Sequence, residues 1–126
     1  MEDIKNIDYV ERVSGMCQPI DDFEGIVKDK YRSCIEETIE MCTDVLLKKN
    51  KEYADDIHPF HNFQIAAELQ DTTLIKALAG MMAKHTSSIY DMCNSEKDFS
   101  IEKWNEKIID HINYLIILRA MVVMGY

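Results

Sequence analysis

Glycine and proline are scarce in this chain, with four glycines and two prolines among 126 residues. The many tight turns of a β-sandwich or β-barrel rely on these two residues, so their scarcity disfavours both folds. Basic residues are also few: the chain has 14 Lys and Arg and 23 Asp and Glu, which gives a net charge of −9. Such a surface repels a phosphate backbone, so we expect no DNA or RNA polymer as a partner. A small anion in a local pocket stays compatible with this charge.

Long apolar runs and paired cysteines are also missing. No segment approaches the ~18 apolar residues of a membrane-spanning helix, and the opening MEDIKNIDYV lacks the apolar region of a signal peptide. The four cysteines include no CxxC pair. Cys34 and Cys42 fall within apolar helical patterns, where a reduced cysteine behaves as a small hydrophobic residue. We therefore expect no membrane association and a reducing cytoplasm.

The pattern that is present predicts an all-α fold. Apolar residues recur every three or four positions in most of the chain, while residues 1–30 are weakly patterned. We expect one domain over residues 1–126, a compact bundle of three long helices plus a short one. Asp71 and Ser100 are the expected N-caps of the last two helices. The helices are predicted over residues 22–49, 63–69, 72–92 and 101–122.

The segment KNKEYADDIHPFHNF, residues 49–63, makes a poor helix and a poor strand. It combines charged residues with two histidines and three aromatic residues, and Pro59 prevents a helix from running through it. The composition predicts a long ordered loop. It is too polar for a core and too aromatic for a simple linker, so it could form a lid if the chain binds a ligand. The alternative is that Phe60 and Phe63 fill one end of the core.

Polar residues interrupt the apolar pattern of the last two helices. Asp110 and Asn113 lie in the apolar run IIDHINYLIIL, where each needs a partner because an unpaired buried polar group costs about 1–3 kcal/mol. A buried structural hydrogen-bond network is the alternative explanation. In the preceding helix, Gly80 would admit a close backbone or a flat ligand, and Lys84 could pair with Asp110. The two stripes are Glu102, Glu106, Asp110 and Asn113, and Ala77, Gly80, Lys84, Ser88 and Asp91.

Carboxylates at helical spacing offer a metal-binding alternative. Glu37 and Glu40 form an ExxE pair, and with Glu106 and Asp110 they could hold Mg²⁺ across two helices. The simpler interpretation of the first pair is a solvated acidic face. His58 and His61 lack the further ligands of a zinc site. We therefore expect no cofactor, and Mg²⁺ only if the chain is an enzyme.

Four motifs in order carry a resemblance to a known family. They are the box Lys49-Asn-Lys51-x-Tyr53, the pair Asn62-Phe63, the pair Lys84-His85, and the box Asp110-x-x-Asn113-Tyr114. Over residues 34–124 the chain resembles the nucleotide-modification-associated domain of the first type, a family of small helical proteins frequent in bacteriophages and also present in bacteria. The resemblance implies a nucleotide ligand. The residues expected to bind it are Lys49, Lys51, Tyr53, Phe60, Asn62, Phe63, Lys84, His85, Asp110, Asn113 and Tyr114.

Three functions follow from these patterns. The first is a non-catalytic protein that binds or sequesters a nucleotide or a nucleotide-derived signal, for instance as an anti-defence protein of a phage. The second is an all-α pyrophosphohydrolase similar to the MazG type, although Lys107 stands where the second carboxylate box of that family begins. The third is a helical interaction module. In each case we expect a homodimer or larger assembly, with the apolar IILRAMVVMGY as its seam.

Overall fold

The computed structural model describes the backbone of residues 20–52 and 58–126, and the side chains of residues 23–49 and 58–126. These residues form four α-helices and no strand, which confirms the all-α prediction. No helix within these ranges is long and apolar enough to cross a membrane. The helices are α1 (Ile20–Glu52), α2 (His61–Leu69), α3 (Leu74–Asn94) and α4 (Ile101–Val123).

The predicted loop is shorter than its composition indicates. Helix α1 continues through the KNKE segment to Glu52, and α2 already begins at His61. Lysine and glutamate are good helix formers, and Pro59 lies far enough along the chain to leave them helical. The prediction of a loop from residue 49 was therefore wrong at both ends. Residues 53–57 lie outside the described part of the chain.

The turn between α2 and α3 corrects the predicted N-cap. Asp71 has a positive φ of 50° and follows the last turn of α2. Its N–H donates to the carbonyl of Glu68, and the next N–H, that of Thr72, donates to the carbonyl of Ala67. This pair of bonds is a Schellman motif, so Asp71 ends α2 and does not begin α3. The N-cap of α3 is Thr73, whose hydroxyl accepts from the N–H of Lys76 at 3.2 Å.

The start of α4 agrees with the prediction. The hydroxyl of Ser100 accepts a hydrogen bond from the N–H of Lys103 at 3.2 Å, and the backbone of Ser100 is extended. Glu102 lies in the first turn of α4, where the positive end of the helix dipole favours a carboxylate. Local chemistry alone therefore sets this boundary.

Contacts divide the chain into two compact units, residues 1–39 and 40–126, with the boundary inside α1. In the second unit, α3 packs against both α2 and α4. Its core cluster consists of Phe60, Phe63, Leu78 and Met121. A single domain over the whole chain stays a prediction.

The described side chains of the first unit are mostly exposed, although their apolar pattern predicts a buried face. Tyr31 is 69% exposed, and Ile26, Ile35 and Cys34 are exposed as well. In the second unit Cys42 is buried, as expected of a small hydrophobic residue, and burial raises the pKa of its thiol. The apolar pattern of α1 is therefore genuine, but most of the described side chains in its N-terminal half are exposed.

Candidate functional site

One face of α4 lines a cavity. Asp110, Asn113, Ile117, Ala120 and Met124 follow one another at steps of three or four residues, so they form a continuous stripe along the helix. The cavity lies within the second unit and has a volume of about 450 Å³, within the range of roughly 300–1,000 Å³ for small-molecule sites. Its full lining is Leu46, Lys49, Pro59, Phe60, Asn62, Phe63, Met81, Asp110, Asn113, Tyr114, Ile116, Ile117, Ala120 and Met124.

Asn113 is the most unusual residue of this lining. Its side chain is 3% exposed, and neither Nδ2 nor Oδ1 has a hydrogen-bond partner among the described residues. Each such group costs about 1–3 kcal/mol when it is left unpaired. One turn earlier, the half-buried carboxylate of Asp110 lines the same cavity. The residue that carries this unpaired amide thus lines the same cavity as an acceptor-only carboxylate.

Aromatic rings form and support one wall. Phe63 contacts Tyr114 edge to face, with ring centroids 6.0 Å apart and planes at 83°. The His85 ring packs against Tyr114 from outside the lining, at 4.7 Å and 38°. Burial raises the pKa of Tyr114, and the neighbouring Asp110 carboxylate raises it further. Tyr114 is therefore held as a neutral phenol that can donate or accept a hydrogen bond.

His85 is held close to neutral by its surroundings. Burial lowers the pKa of His85, and the positive charge of Lys84 acts in the same direction. The nearby Asp110 carboxylate opposes this shift. A neutral ring packs against Tyr114 without bringing a second charge to the wall, so His85 supports the wall but does not line the cavity.

The end of the cavity near Phe60 is fixed by contacts with the last residue of the chain. Tyr126 contacts the rings of Phe60 and His58 edge to face, at 5.5 and 6.3 Å. The Nδ1 of His58 accepts from the N–H of Phe60 at 3.1 Å, and its Nε2 lies 3.4 Å from the Tyr126 hydroxyl. An accepting Nδ1 requires the tautomer with hydrogen on Nε2. His58 therefore has a structural role, because its ring contacts both Phe60 and Tyr126.

Seven of the eleven predicted ligand-binding residues line this one cavity. Two others, Lys84 and His85, are described but do not belong to the lining. The remaining two, Lys51 and Tyr53, have side chains outside the described residues. The seven are Lys49, Phe60, Asn62, Phe63, Asp110, Asn113 and Tyr114.

Most of the predicted stripe on α3 does not face inward, although its first member, Ala77, is buried. Gly80 and Lys84 are both exposed, and within the described structure nothing lies within 4 Å of a Cβ placed on Gly80. Lys84 forms no ion pair with Asp110 there, and the ion pair that does form joins Lys107 to Glu106 at 3.8 Å. The predicted Lys84–Asp110 pair was therefore wrong, and no described backbone approaches Gly80, while the close approach of a ligand there stays a prediction.

A different stripe of α3 faces the core. Leu78 is fully buried, and Met81 and His85 are partly buried one and two turns further along. Burying a leucine or methionine side chain stabilises a protein by roughly 1.5–3 kcal/mol. The apolar side chains, and not the polar ones, therefore determine which face of α3 is buried. Lys84 consequently projects into solvent.

The carboxylate-based alternative finds no metal site in the described residues. No group of three or more His, Cys, Asp or Glu side chains could hold an ion among them, and the set Glu37, Glu40, Glu106 and Asp110 is not such a group. Glu37, Glu40 and Glu106 are exposed, in agreement with a solvated acidic face. Asp110 alone of the four lines the cavity.

Half of the lining was not predicted from the sequence. Leu46, Met81 and Ile116 are apolar residues without a distinguishing signal of their own. The stripe on α4 could have been found, because Ile117 and Ala120 continue the three- and four-residue spacing of Asp110 and Asn113. The others missed are Pro59 and Met124.

Comparisons with known proteins give no match: no family model matches the chain, and neither a curated protein nor a solved structure is detectably similar to it. The resemblance to the nucleotide-modification-associated domain therefore stays a prediction. The function is argued below from the cavity itself.

Proposed function

We propose that the chain binds a nucleotide in the cavity beside α4 and holds it without transforming it. The observation that carries the proposal is Asn113, whose buried amide leaves a donor and an acceptor unpaired in the described structure. A nucleobase edge presents the complementary acceptor and donor side by side. Binding would therefore offset the cost of burying this side chain, and an apolar ligand would not.

The rest of the lining fits the parts of a nucleotide. Phe63 and Tyr114 supply aromatic surface, and stacking or edge contacts with an aromatic residue contribute about 1–3 kcal/mol per base. Lys49 is exposed where it borders the cavity, so its ammonium can reach a phosphate that remains in water. The exposed amide of Asn62 can reach the sugar or the phosphate from the same side. The polar groups of the lining are an ammonium, amides, a carboxylate and a phenol, and each can bind a ligand through hydrogen bonds or charge.

The role that fits such a protein is sequestration. A chain that binds a nucleotide or a nucleotide-derived signal without consuming it lowers the free concentration in proportion to its own abundance. For a phage-encoded protein this would amount to anti-defence activity. The proposal therefore predicts stoichiometric binding, with the ligand recovered unchanged.

The test is a thermal-shift and calorimetric screen with nucleoside monophosphates, diphosphates, triphosphates and cyclic nucleotides, with and without Mg²⁺. A ligand at 100 times its Kd adds about 2.7 kcal/mol to the free energy of unfolding, which is measured as a rise of several degrees in Tm. Chromatography of the recovered ligand distinguishes binding from hydrolysis. Release of pyrophosphate or phosphate would replace the proposal with the hydrolase alternative.

The variant that tests the site is Asn113→Leu, with Asn105→Leu as the control. Both replace an asparagine of α4 with an apolar residue of similar size, but only Asn113 lines the cavity. Asn113→Leu is expected to abolish the nucleotide-induced shift, and Asn105→Leu is expected to retain it. Equal binding by the two variants would show that the ligand lies elsewhere.

A second candidate function is a helical interaction module. The observation that favours it is the exposed apolar surface on two helices, including Tyr31 and Ile35 on α1 and Val122 and Val123 on α4. Exposed apolar surface of this kind marks protein–protein contacts. A second copy of the chain is the partner that we propose, in line with a homodimer or larger assembly. If no nucleotide in the screen binds, the interaction module becomes the better supported of the two functions.

A further inference from the structure

The arrangement of Asp110 and Asn113 specifies which base the cavity accepts. We infer that the cavity selects guanine, with the Asn113 amide paired to O6 and N1–H and the Asp110 carboxylate accepting from the 2-amino group. This inference rests on the proposed nucleotide binding and adds the identity of the base to it. It depends on two residues that are three positions apart on one face of α4.

The base, and not the phosphate, belongs at Asn113. The Asn113 side chain is neutral and buried, and it lies one turn from a carboxylate that would repel a phosphate. The exposed Lys49 borders the same cavity and supplies the positive charge that a phosphate requires. A net charge of −9 makes an anion deep in the protein more costly still. The ligand is therefore oriented with its base inward and its phosphate outward.

The Asn113 amide by itself does not choose among bases. One N–H donor and one carbonyl acceptor match the O6 and N1–H of guanine, the O4 and N3–H of uracil, the N1 and N6–H of adenine, and the N3 and N4–H of cytosine. In each pairing both orphaned atoms of Asn113 gain a partner. The discrimination must come from the neighbouring group.

Asp110 supplies that discrimination, because a carboxylate only accepts hydrogen bonds. The Cβ atoms of residues three positions apart on a helix lie about 5–6 Å apart, so the Asp110 carboxylate can reach the next position along the base edge. Only guanine carries an N–H donor there, its 2-amino group. Uracil places its O2 or O4 acceptor against the carboxylate, and cytosine and adenine place no N–H donor there. The carboxylate has no hydrogen bond or ion pair within the described residues, so it is available for this contact.

Three purine monophosphates that differ only at C2 test the inference by calorimetry on the full chain. GMP has an amino group at that position, IMP has hydrogen and XMP has oxygen. Discrimination at one base position is about 1–3 kcal/mol, so we expect GMP to bind on the order of 10-fold more tightly than IMP, and XMP to bind most weakly. AMP, CMP and UMP complete the panel and are expected to bind more weakly than GMP.

Asp110→Asn should reverse this preference, because its amide can donate to the O2 of xanthine. We expect the variant to lose affinity for GMP and to gain affinity for XMP. Glu106→Gln is the matched control, since it makes the same change one turn away at an exposed residue outside the lining. The control is expected to keep the wild-type order of affinities.

The outcomes separate the two proposals. If AMP, CMP or UMP binds more tightly than GMP, or if GMP and IMP bind equally, the assignment of guanine is overturned while nucleotide binding stands. If no nucleotide binds, both proposals fail. The comparison of GMP, IMP and XMP on the wild-type protein decides the matter even if Asp110→Asn does not fold.

Discussion

At the scale of single residues, the second unit contains a group whose placement costs stability. The two polar atoms of the Asn113 side chain are buried beside apolar residues such as Ile117, with no partner among the residues that the structure describes. A leucine would fill this position at lower cost. Residues that break a local rule in this way are commonly found at functional sites, where stability is exchanged for binding.

Asn113→Leu is therefore expected to increase the free energy of unfolding of the ligand-free protein by about 1 kcal/mol, because it removes two unpaired buried groups. Urea denaturation measures the change. The control Asn105→Leu accounts for the higher helix propensity of leucine, which affects both variants. A loss of stability specific to Asn113→Leu would mean that the amide makes structural hydrogen bonds, and the argument for a ligand would fail.

His85 makes the stability of the protein depend on pH. Burial lowers the pKa of His85 below the ordinary value of 6.5 that a histidine has in the unfolded chain. The unfolded state therefore takes up a proton first as the pH falls, and protonation favours unfolding. The stabilisation is complete above pH 6.5 and is lost as the pH falls from there to the lower pKa of the folded state.

We therefore expect the wild-type protein to lose more stability between pH 7.5 and pH 5.5 than His85→Gln does. Urea denaturation of both proteins at both pH values gives the difference, in which the other histidines cancel. Equal losses would show that the His85 ring is not desolvated by its contact with Tyr114.

Gly80 offers a third test at this scale. It lies inside α3, it is exposed, and in the described structure a methyl group on it would meet no atom within 4 Å. Gly80→Ala is expected to stabilise the protein by about 0.5–1 kcal/mol, because alanine favours the helix over the unfolded chain. A melting temperature below that of the wild type would reveal a partner that packs closely against this position, as the sequence first indicated.

At the scale of elements, capping chemistry distinguishes the end of α2 from the start of α3. Thr73→Ala removes the acceptor of the Lys76 N–H and is expected to cost about 1 kcal/mol of stability. Asp71→Gly should cost nothing and can add stability, because glycine adopts the positive φ of residue 71 without strain. Thermal denaturation of the two variants checks both expectations. The opposite order would restore Asp71 as the N-cap.

The same element-scale comparison shows what the sequence could predict. The helices were predicted because the spacing of apolar residues is a local property, and Ser100 was predicted because a cap is satisfied by its own neighbours. The inward face of α3 was not, since it depends on how well Leu78 and Met81 pack against other helices. The role of Asp71 at the end of α2 follows from its positive φ. The sequence alone does not show that an aspartate adopts this conformation.

The candidate site was predicted to the extent that its residues are polar or aromatic. Asp110 and Asn113 are conspicuous in an apolar run, and both line the cavity. Lys84 looked equivalent, but an exposed lysine and a ligand-facing lysine have the same sequence signal. Apolar lining residues such as Ile116 are ordinary members of an apolar face, and only tertiary packing distinguishes them from the core.

At the scale of the whole molecule, acidic charge and exposed apolar surface occur together. The chain carries a net charge of −9, which opposes non-specific association. Near the end of α4, Val122 and Val123 are nevertheless exposed, and Val123 is 67% exposed. Apolar residues at adjacent positions gain most from a partner that removes them from water, at roughly 25 cal/mol per Å² of apolar area buried. The proposed assembly would reconcile the two properties, because it would cover this surface while the charge opposed other contacts.

Val123→Glu tests that assembly. If α4 forms a seam between copies of the chain, a carboxylate at this position would be buried without a partner, and we expect the dimer or larger oligomer to dissociate to monomers. Light scattering coupled to size-exclusion chromatography gives the mass, and circular dichroism verifies that the helices persist. Ser87→Glu adds the same charge at an exposed position of α3 and should leave the mass unchanged. A monomeric wild type, or an assembly that persists with the glutamate, would show that a second copy of the chain does not cover this surface.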